Sequence, residues 1–286
     1  MAARPSVEVK TPDQLRLMRR AGLVVARTLD AVVAEVRPGT TTLELDAVAA
    51  DVIASAGATP SFLGYGTDDD RPGFTGVVCL SVNDEVVHGV PGPRVLAEGD
   101  LLSIDCGAVV EGWHGDAAVS VVVGDRPVPA DVAGLVDATR AALWHGMAAL
   151  REGGRVGDVA TAVDAYLAGK AYGVVEDYVG HGIGTEMHME PDVLHRRPRG
   201  PFANLRSRGP VLVPGTALAV EPMLTLGGPD THELDDGWTA VTDDGSWACH
   251  WEHTVAVTPT GLWVLTAHDG GESGLGELGA PFGPLD

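Results

Sequence analysis

Cysteine is scarce in this chain. Cys79, Cys106 and Cys249 are odd in number, widely scattered and form no CxxC pair. That excludes a disulfide framework and a zinc finger, and it reads as a cytoplasmic protein with reduced thiols. Basic residues are also few: 19 Lys and Arg stand against 40 Asp and Glu, a formal charge of −21. Such a surplus repels nucleic acid and anionic membrane surfaces, so neither is expected as a direct partner. No apolar run reaches the length of a membrane span, and Met1-Ala2-Ala3-Arg4-Pro5-Ser6 lacks the apolar core of a signal peptide. What remains is a chain of 286 residues, long enough to bury a large core.

The most informative stretch runs from Ser103 to Val121. Two apolar strands flank Glu111-Gly112, a turn-capable pair, so a hairpin is expected with Val110 opposite Trp113. That register sets Asp105 opposite Ala118. Asp116 is two residues from Ala118 and points to the same face. The two carboxylates are then diagonal neighbours, with backbones roughly 7–8 Å apart. Two anions beside apolar ladders are too costly to bury without a cation between them.

Around this hairpin the same elements occur twice. Thr11-Pro12-Asp13-Gln14 is a capping-box helix start, with a helix running to about Val36 and a break at Pro38-Gly39. Thr41 to Glu44 restarts a second helix that ends near Gly57, a loop covers residues 60–76, and Val77 to Val90 reads as a strand pair. After the hairpin come a helix from Pro129 to Leu150, a break at Glu152-Gly153-Gly154, a helix from Val156 to Ala171 and strand-like residues 174–183. Val95-Leu96-x-x-Gly99-x-x-Leu102-x-x-Asp105 aligns without gaps on Val211-Leu212-x-x-Gly215-x-x-Leu218-x-x-Glu221. A duplicated α+β half explains this, with halves at about 11–124 and 129–267 in one domain. The sheets should pack together inside with helices outside, and polar residues should converge at the pseudo-twofold axis. The glycine- and acid-rich residues 268–286 read as a flexible tail.

The repeat makes Glu221 the counterpart of Asp105. Glu252, in the strand-like Cys249-His250-Trp251-Glu252-His253-Thr254, supplies a fourth acid. Four carboxylates in buried-looking strands suit a pair of divalent metals about 3.5–4 Å apart. His181, in Gly180-His181-Gly182-Ile183-Gly184, is a fifth donor, because glycines let the backbone approach and leave the ring open. Oxygen-rich coordination with one imidazole suits Mn(II), Fe(II) or Co(II) at least as well as zinc. His88 and His188 are further candidates, as non-ligand partners for a substrate, with an ordinary core or surface histidine as the alternative for each.

Asn83 to Gly92, the hairpin with its two aspartates, Gly180 to Gly184, Val220-Glu221-Pro222-Met223 and Trp251-Glu252-His253-Thr254 together resemble the motif set of the type I methionine aminopeptidases. The resemblance covers about residues 7–267, in the family's order. It implies the pita-bread fold, two pseudo-symmetric α+β halves with antiparallel sheets inside. It also implies two divalent ions (Co, Mn, Fe(II) or Zn) held by Asp105, Asp116, His181, Glu221 and Glu252. Of these, Asp116 and Glu252 would bridge both ions and Asp105 would chelate one. By the same resemblance Glu221, His188 and His88 are catalytic, His88 and His188 contact substrate, and Trp238, Tyr65 and Cys79, with Phe62 and Phe74, line the methionine pocket. The implied partners are nascent polypeptide N-termini, met by a cytoplasmic monomer without direct RNA binding; docking at the ribosome is left open.

The chain departs from the family at Met187, where an aromatic is usual, and in expanded loops at 66–76 and 195–208. The second of these is arginine-rich and reads as a solvated loop, with a docking surface as its alternative. The first fifty residues hold no cysteine for a zinc-binding extension, and no long insertion marks a type II enzyme. The competing readings are an Xaa-Pro peptidase of the same fold and a non-catalytic pita-bread binding protein.

Overall fold

Two capping boxes open the first half. Thr11 Oγ1 accepts from the Gln14 N–H while Gln14 Oε1 accepts from the Thr11 N–H, starting helix α1 (Pro12–Glu35). Thr41 and Glu44 repeat the exchange at α2 (Thr42–Ser55). Both helices end within two residues of their expected limits. The computed structural model describes residues 7–67, 72–198 and 208–285.

Next come β1 (Thr59–Pro60), β2 (Cys79–Val82), β3 (Glu85–Val87), β4 (Leu101–Val110) and β5 (Trp113–Val122). β4 and β5 form the expected hairpin, with Val110 opposite Trp113 and Asp105 opposite Ala118. Glu111 and Gly112 both have positive φ, 51° and 80°, the requirement of a type I′ turn. The other edge of β4 carries β2 and β1. The expected strand pair at 77–90 divides differently: β2 joins the hairpin sheet, whereas β3 pairs with a strand of the second half.

That half contains α3 (Ala130–Ala148), α4 (Asp158–Leu167), β6 (Gly173–Val174), β7 (Gly180–Gly182), β8 (Met189–Val193), β9 (Ala217–Val220), β10 (Met223–Thr225), β11 (Thr231–Glu233), β12 (Ala240–Thr242), β13 (Ala248–His250), β14 (His253–Thr258) and β15 (Gly261–Val264). A five-stranded antiparallel sheet has the order β15-β14-β9-β7-β8, and β12 pairs with β3 across the halves. α1 and α2 cover the first half through Val25, Leu45 and Ile53; α3 and α4 cover the second through Leu135, Leu143 and Val163.

The repeat extends to single hydrogen bonds. Gly99 and Gly215 are both left-handed, at φ 90° and 95°. Their N–H groups donate to Val123 and Val257 at 2.8 and 2.9 Å. Gly39 and Gly153, also at positive φ, donate to Leu96 and Leu212 at 2.8 and 2.9 Å. Any Cβ at the first pair would require a backbone conformation that L-residues avoid, so glycine at both positions preserves the turn in each half.

The halves are stitched through the hairpin. Ala118 and Glu252 exchange backbone hydrogen bonds at 3.0 and 3.3 Å. The Ser120 hydroxyl donates to the His250 carbonyl at 2.7 Å, and the His250 N–H reaches the Ser103 and Ser120 hydroxyls. Outside, α1 lies directly on β5: a Cβ on Gly115 would stand 2.6 Å from the Gly22 nitrogen, and one on Gly22 would overlap the Leu265 carbonyl.

Residues 268–285 are not the flexible tail that their composition suggests. They form α5 (Glu272–Glu277), bury Leu275 completely and set Phe282 beside β15, where Leu262 donates to the Pro281 carbonyl at 2.8 Å. A few well-spaced apolar anchors and glycine turns at positive φ (Gly270, Gly271, Gly279) suffice to pack a segment of low average hydrophobicity. Truncating a buried leucine leaves a cavity. Leu275→Ala should therefore lower unfolding free energy by about 2–5 kcal/mol in denaturant melts, where a flexible tail would show no change.

Candidate metal centre

Asp105 and Asp116 come from adjacent strands of the hairpin, and Glu252 from the residue joined to Ala118 across the seam. His181 projects from β7, whose neighbour β9 runs directly into Glu221. All five expected donors line one cavity of about 150 Å³. His181 Nε2 is 3.4 Å from Glu221 Oε1, and its Nδ1 lies 3.0 Å from the Gly182 carbonyl. A neutral ring whose Nδ1–H donates to that carbonyl presents an unprotonated Nε2 to the cavity. Donor atoms of Asp116, His181 and Glu252 lie within 4.8 Å of one another, as do those of Glu221, His250 and Glu252.

The electrostatics follow from this crowding. Burial raises the Asp105 pKa to about 7, opposed by a hydrogen bond with Asp116. Burial also pushes Asp116, Glu221 and Glu252 well above the carboxylate range, and the charges of the other acids add to it. His181 is depressed to about 3, by burial first and by His188 second, so its ring is neutral. Asp105 Oδ1, Asp116 Oδ1, Glu252 Oε1 and His250 Nε2 are buried without a hydrogen-bond partner. An orphaned buried polar atom costs about 1–3 kcal/mol, and more when charged. Such a convergence of oxygen donors with imidazole nitrogen fits divalent cations, which remove both the repulsion and the unmet demand.

Above the acids the cavity turns apolar. Phe62, Phe74, Cys79 and Met187 form a buried cluster against which Trp238 packs. Phe74 meets Trp238 edge-on at 5.5 Å and Phe62 at 6.4 Å. Met187 is part of this wall. His188 and Tyr65 occupy the rim, with the Tyr65 hydroxyl 2.6 Å from His188 Nδ1 and the His188 ring 4.3 Å from that of His181. His88, at φ 60°, meets Tyr178 edge-on at 5.3 Å and lines the same cavity. Each substrate-facing residue expected from the sequence thus borders the same space.

Two residues escaped the sequence reading. His250 is buried and lies 3.7 Å from Glu221 Oε2. It stands two residues before Glu252, a spacing that places both on one face of an extended chain, and that signal was available. His195 is also buried, and its Nε2 accepts the Glu221 N–H at 2.9 Å. Nothing announced it, because it begins the arginine-rich stretch read as a solvated loop. In that stretch Arg197 pairs with Asp164 at 3.0 Å and Arg196 lies 3.7 Å from Glu176. Residues 199–207, and 68–71 of the other expanded loop, lie outside the described residues.

Comparison with known proteins agrees with this geometry. The model of metallopeptidase family M24 matches residues 16–259. The chain is 48% identical to methionine aminopeptidase 1 of Mycobacterium tuberculosis over 93% of its own length and 97% of that protein. It is 41% identical to methionine aminopeptidase 1 of Bacillus subtilis over 90% and 98%. Among solved structures, the methionine aminopeptidase of Thermotoga maritima superposes with a TM-score of 0.84 at 36% identity, covering 92% of this chain and 100% of that one. Prolidase from Pyrococcus furiosus shares the fold alone, with a TM-score of 0.69 at 19% identity over 91% of this chain and 65% of that one. The architecture is the pita-bread fold, and the chain belongs to metallopeptidase family M24, among its methionine aminopeptidases.

Proposed function

We propose that this chain is a metal-dependent aminopeptidase that hydrolytically removes the N-terminal methionine from nascent proteins in the cytoplasm, acting as a monomer and preferring a small second residue. The observation that carries the reading is the meeting of Asp105, Asp116, His181, Glu221 and Glu252 at the floor of an apolar cavity, with carboxylate oxygens left unpartnered. The similarity to proteins named methionine aminopeptidase supports it.

In this reading those five residues hold two divalent ions. When bound, such ions make water a nucleophile at neutral pH and polarise a carbonyl. Asp105, Asp116, Glu221 and Glu252 would hold them through carboxylate oxygens, and His181 would add its Nε2. Glu221, at the junction of β9 and the cavity, takes the proton of the attacking water and returns it to the amide nitrogen as the C–N bond breaks. His188 sits above His181 and donates to the carbonyl oxygen as negative charge develops there. A Tyr65 hydroxyl donating to Nδ1 sets the tautomer that places the His188 proton on Nε2. His88 orients the substrate from the cavity wall.

Phe62, Phe74, Cys79, Met187 and Trp238 take the methionine side chain, with aromatic edges and sulfur against its thioether. The pocket is lined from both sides, so a longer or branched side chain meets Trp238 or Met187. Among the described residues no helix is long and apolar enough to cross a membrane.

Three outcomes are expected. Glu221→Ala and Asp116→Ala should each lower kcat by about 10³-fold or more while leaving the far-UV circular dichroism unchanged. Activity surviving in chelator-treated, metal-free enzyme would end this mechanism. A Met-Ala-Ser peptide should be cleaved and an Ala-Pro peptide left intact; the reverse preference would favour the Xaa-Pro reading. Trp238→Ala removes an aromatic wall from the ground state and transition state alike, so KM for Met-Ala-Ser should rise about tenfold or more with a smaller change in kcat.

A further inference from the structure

Glu221 stands between two imidazoles. His181 Nε2 faces Oε1 at 3.4 Å, and His250 Nε2 faces Oε2 at 3.7 Å. The second of these separations is too long for a hydrogen bond. Yet His250 is only 2% exposed, and its Nε2 has no hydrogen-bond partner at all. Such a nitrogen is costly to bury unless something occupies it.

The ring is not placed there by accident of a mobile chain. The His250 carbonyl accepts from Ser120 Oγ at 2.7 Å, and its N–H is held by the Ser103 and Ser120 hydroxyls at 3.3 and 3.2 Å. Its strand pairs with β10, placing His250 opposite Met223. With the backbone pinned from the other half of the molecule, the side chain points to the same side as Glu252. The donor atoms of Glu221, His250 and Glu252 lie within 4.8 Å of one another, a group distinct from that of Asp116 and His181 except for the shared Glu252. Atoms that bind one ion at about 2.0–2.2 Å stand about 3–4 Å apart, which includes the spacing between His250 and Glu221.

We infer that His250 is a sixth donor of the metal centre, its Nε2 joining Glu221 and Glu252 around one ion. The inference rests on the metal-dependent reading above and changes its chemistry: the centre carries two imidazoles, not one. Imidazole nitrogen favours Zn(II), Co(II) and Fe(II), whereas carboxylate oxygen serves Mn(II) equally well. A centre with His250 should therefore discriminate against Mn(II) more strongly than one with five donors.

The test uses the full chain stripped of metal and titrated with Zn(II) and Mn(II) against a chromophoric chelator. His250→Gln keeps a polar side chain of similar size but removes the imidazole. The expected result is a loss of about 10–100-fold in Zn(II) affinity for one of two ions, with a smaller loss for Mn(II). Unchanged Zn(II) affinity overturns the inference. A second measurement needs no variant, which covers the case where His250→Gln fails to fold. Pulsed electron paramagnetic resonance on Mn(II)-loaded wild-type protein with ¹⁵N-labelled histidine should detect two coupled imidazoles. A single imidazole overturns the inference even if His250→Gln lowers affinity, because His250 would then act only through Glu221. Binding of no divalent ion overturns the metal reading itself; two ions with one imidazole overturn this inference alone.

Discussion

The reciprocal backbone hydrogen bonds between Ala118 and Glu252 are the constraint on which the site depends. Ala118 faces Asp105 across the hairpin and lies two residues from Asp116, while Glu252 sits two residues from His250. One pair of bonds therefore brings three carboxylates and an imidazole from both halves to a common floor. The serine hydroxyls at 103 and 120, which hold the His250 backbone, extend the same junction. Backbone bonds of this kind are satisfied whatever stands in the cavity. The scaffold can thus hold its donors in place before any cation arrives, which is what preorganisation requires.

Holding them there is unfavourable for the protein alone. Four acids share a water-poor space, and burial together with mutual repulsion raises their pKa values. Removing such a demand by apolar replacement would be easy for a fold with this much core. Four acids buried together beside apolar residues such as Ile104, Ala117 and Val220 mark the place as a functional site whose stability depends on bound charge. The histidines respond to burial in the opposite direction: it keeps their rings neutral, the form that offers a lone pair.

Much of this arrangement was legible in the sequence, for local reasons. The hairpin register follows from a two-residue turn, and the alternation of side chains along a strand sets Asp105 and Asp116 on one face. Glu221 followed from a repeat that the structure reproduces bond by bond at Gly99 and Gly215. The capping boxes at Thr11 and Thr41 announced both helices of the first half. What escaped depends on contacts distant in sequence. The pairing of β3 with β12 joins Val87 to Ala240, and no local pattern encodes it. Leu275 is one leucine in a glycine-rich stretch, and only the groove beside α3 shows that it is an anchor. His195 looked like the start of a charged loop, although its ring receives the Glu221 N–H.

Duplication explains the frame but not the chemistry, because the two halves contribute unequally to the site. Asp105 and Glu221 are counterparts by alignment, yet only the second is flanked by imidazoles, and His181, His188, His195 and His250 all come from the second half. The first half supplies the hairpin aspartates and most of the apolar wall, in Phe62, Phe74 and Cys79. A symmetric cavity would place similar groups on both sides and could not distinguish the two ends of a bound molecule. Here acids and imidazoles gather on the floor while aromatic rings and Met187 close one side. That asymmetry distinguishes the two ends of whatever the cavity binds.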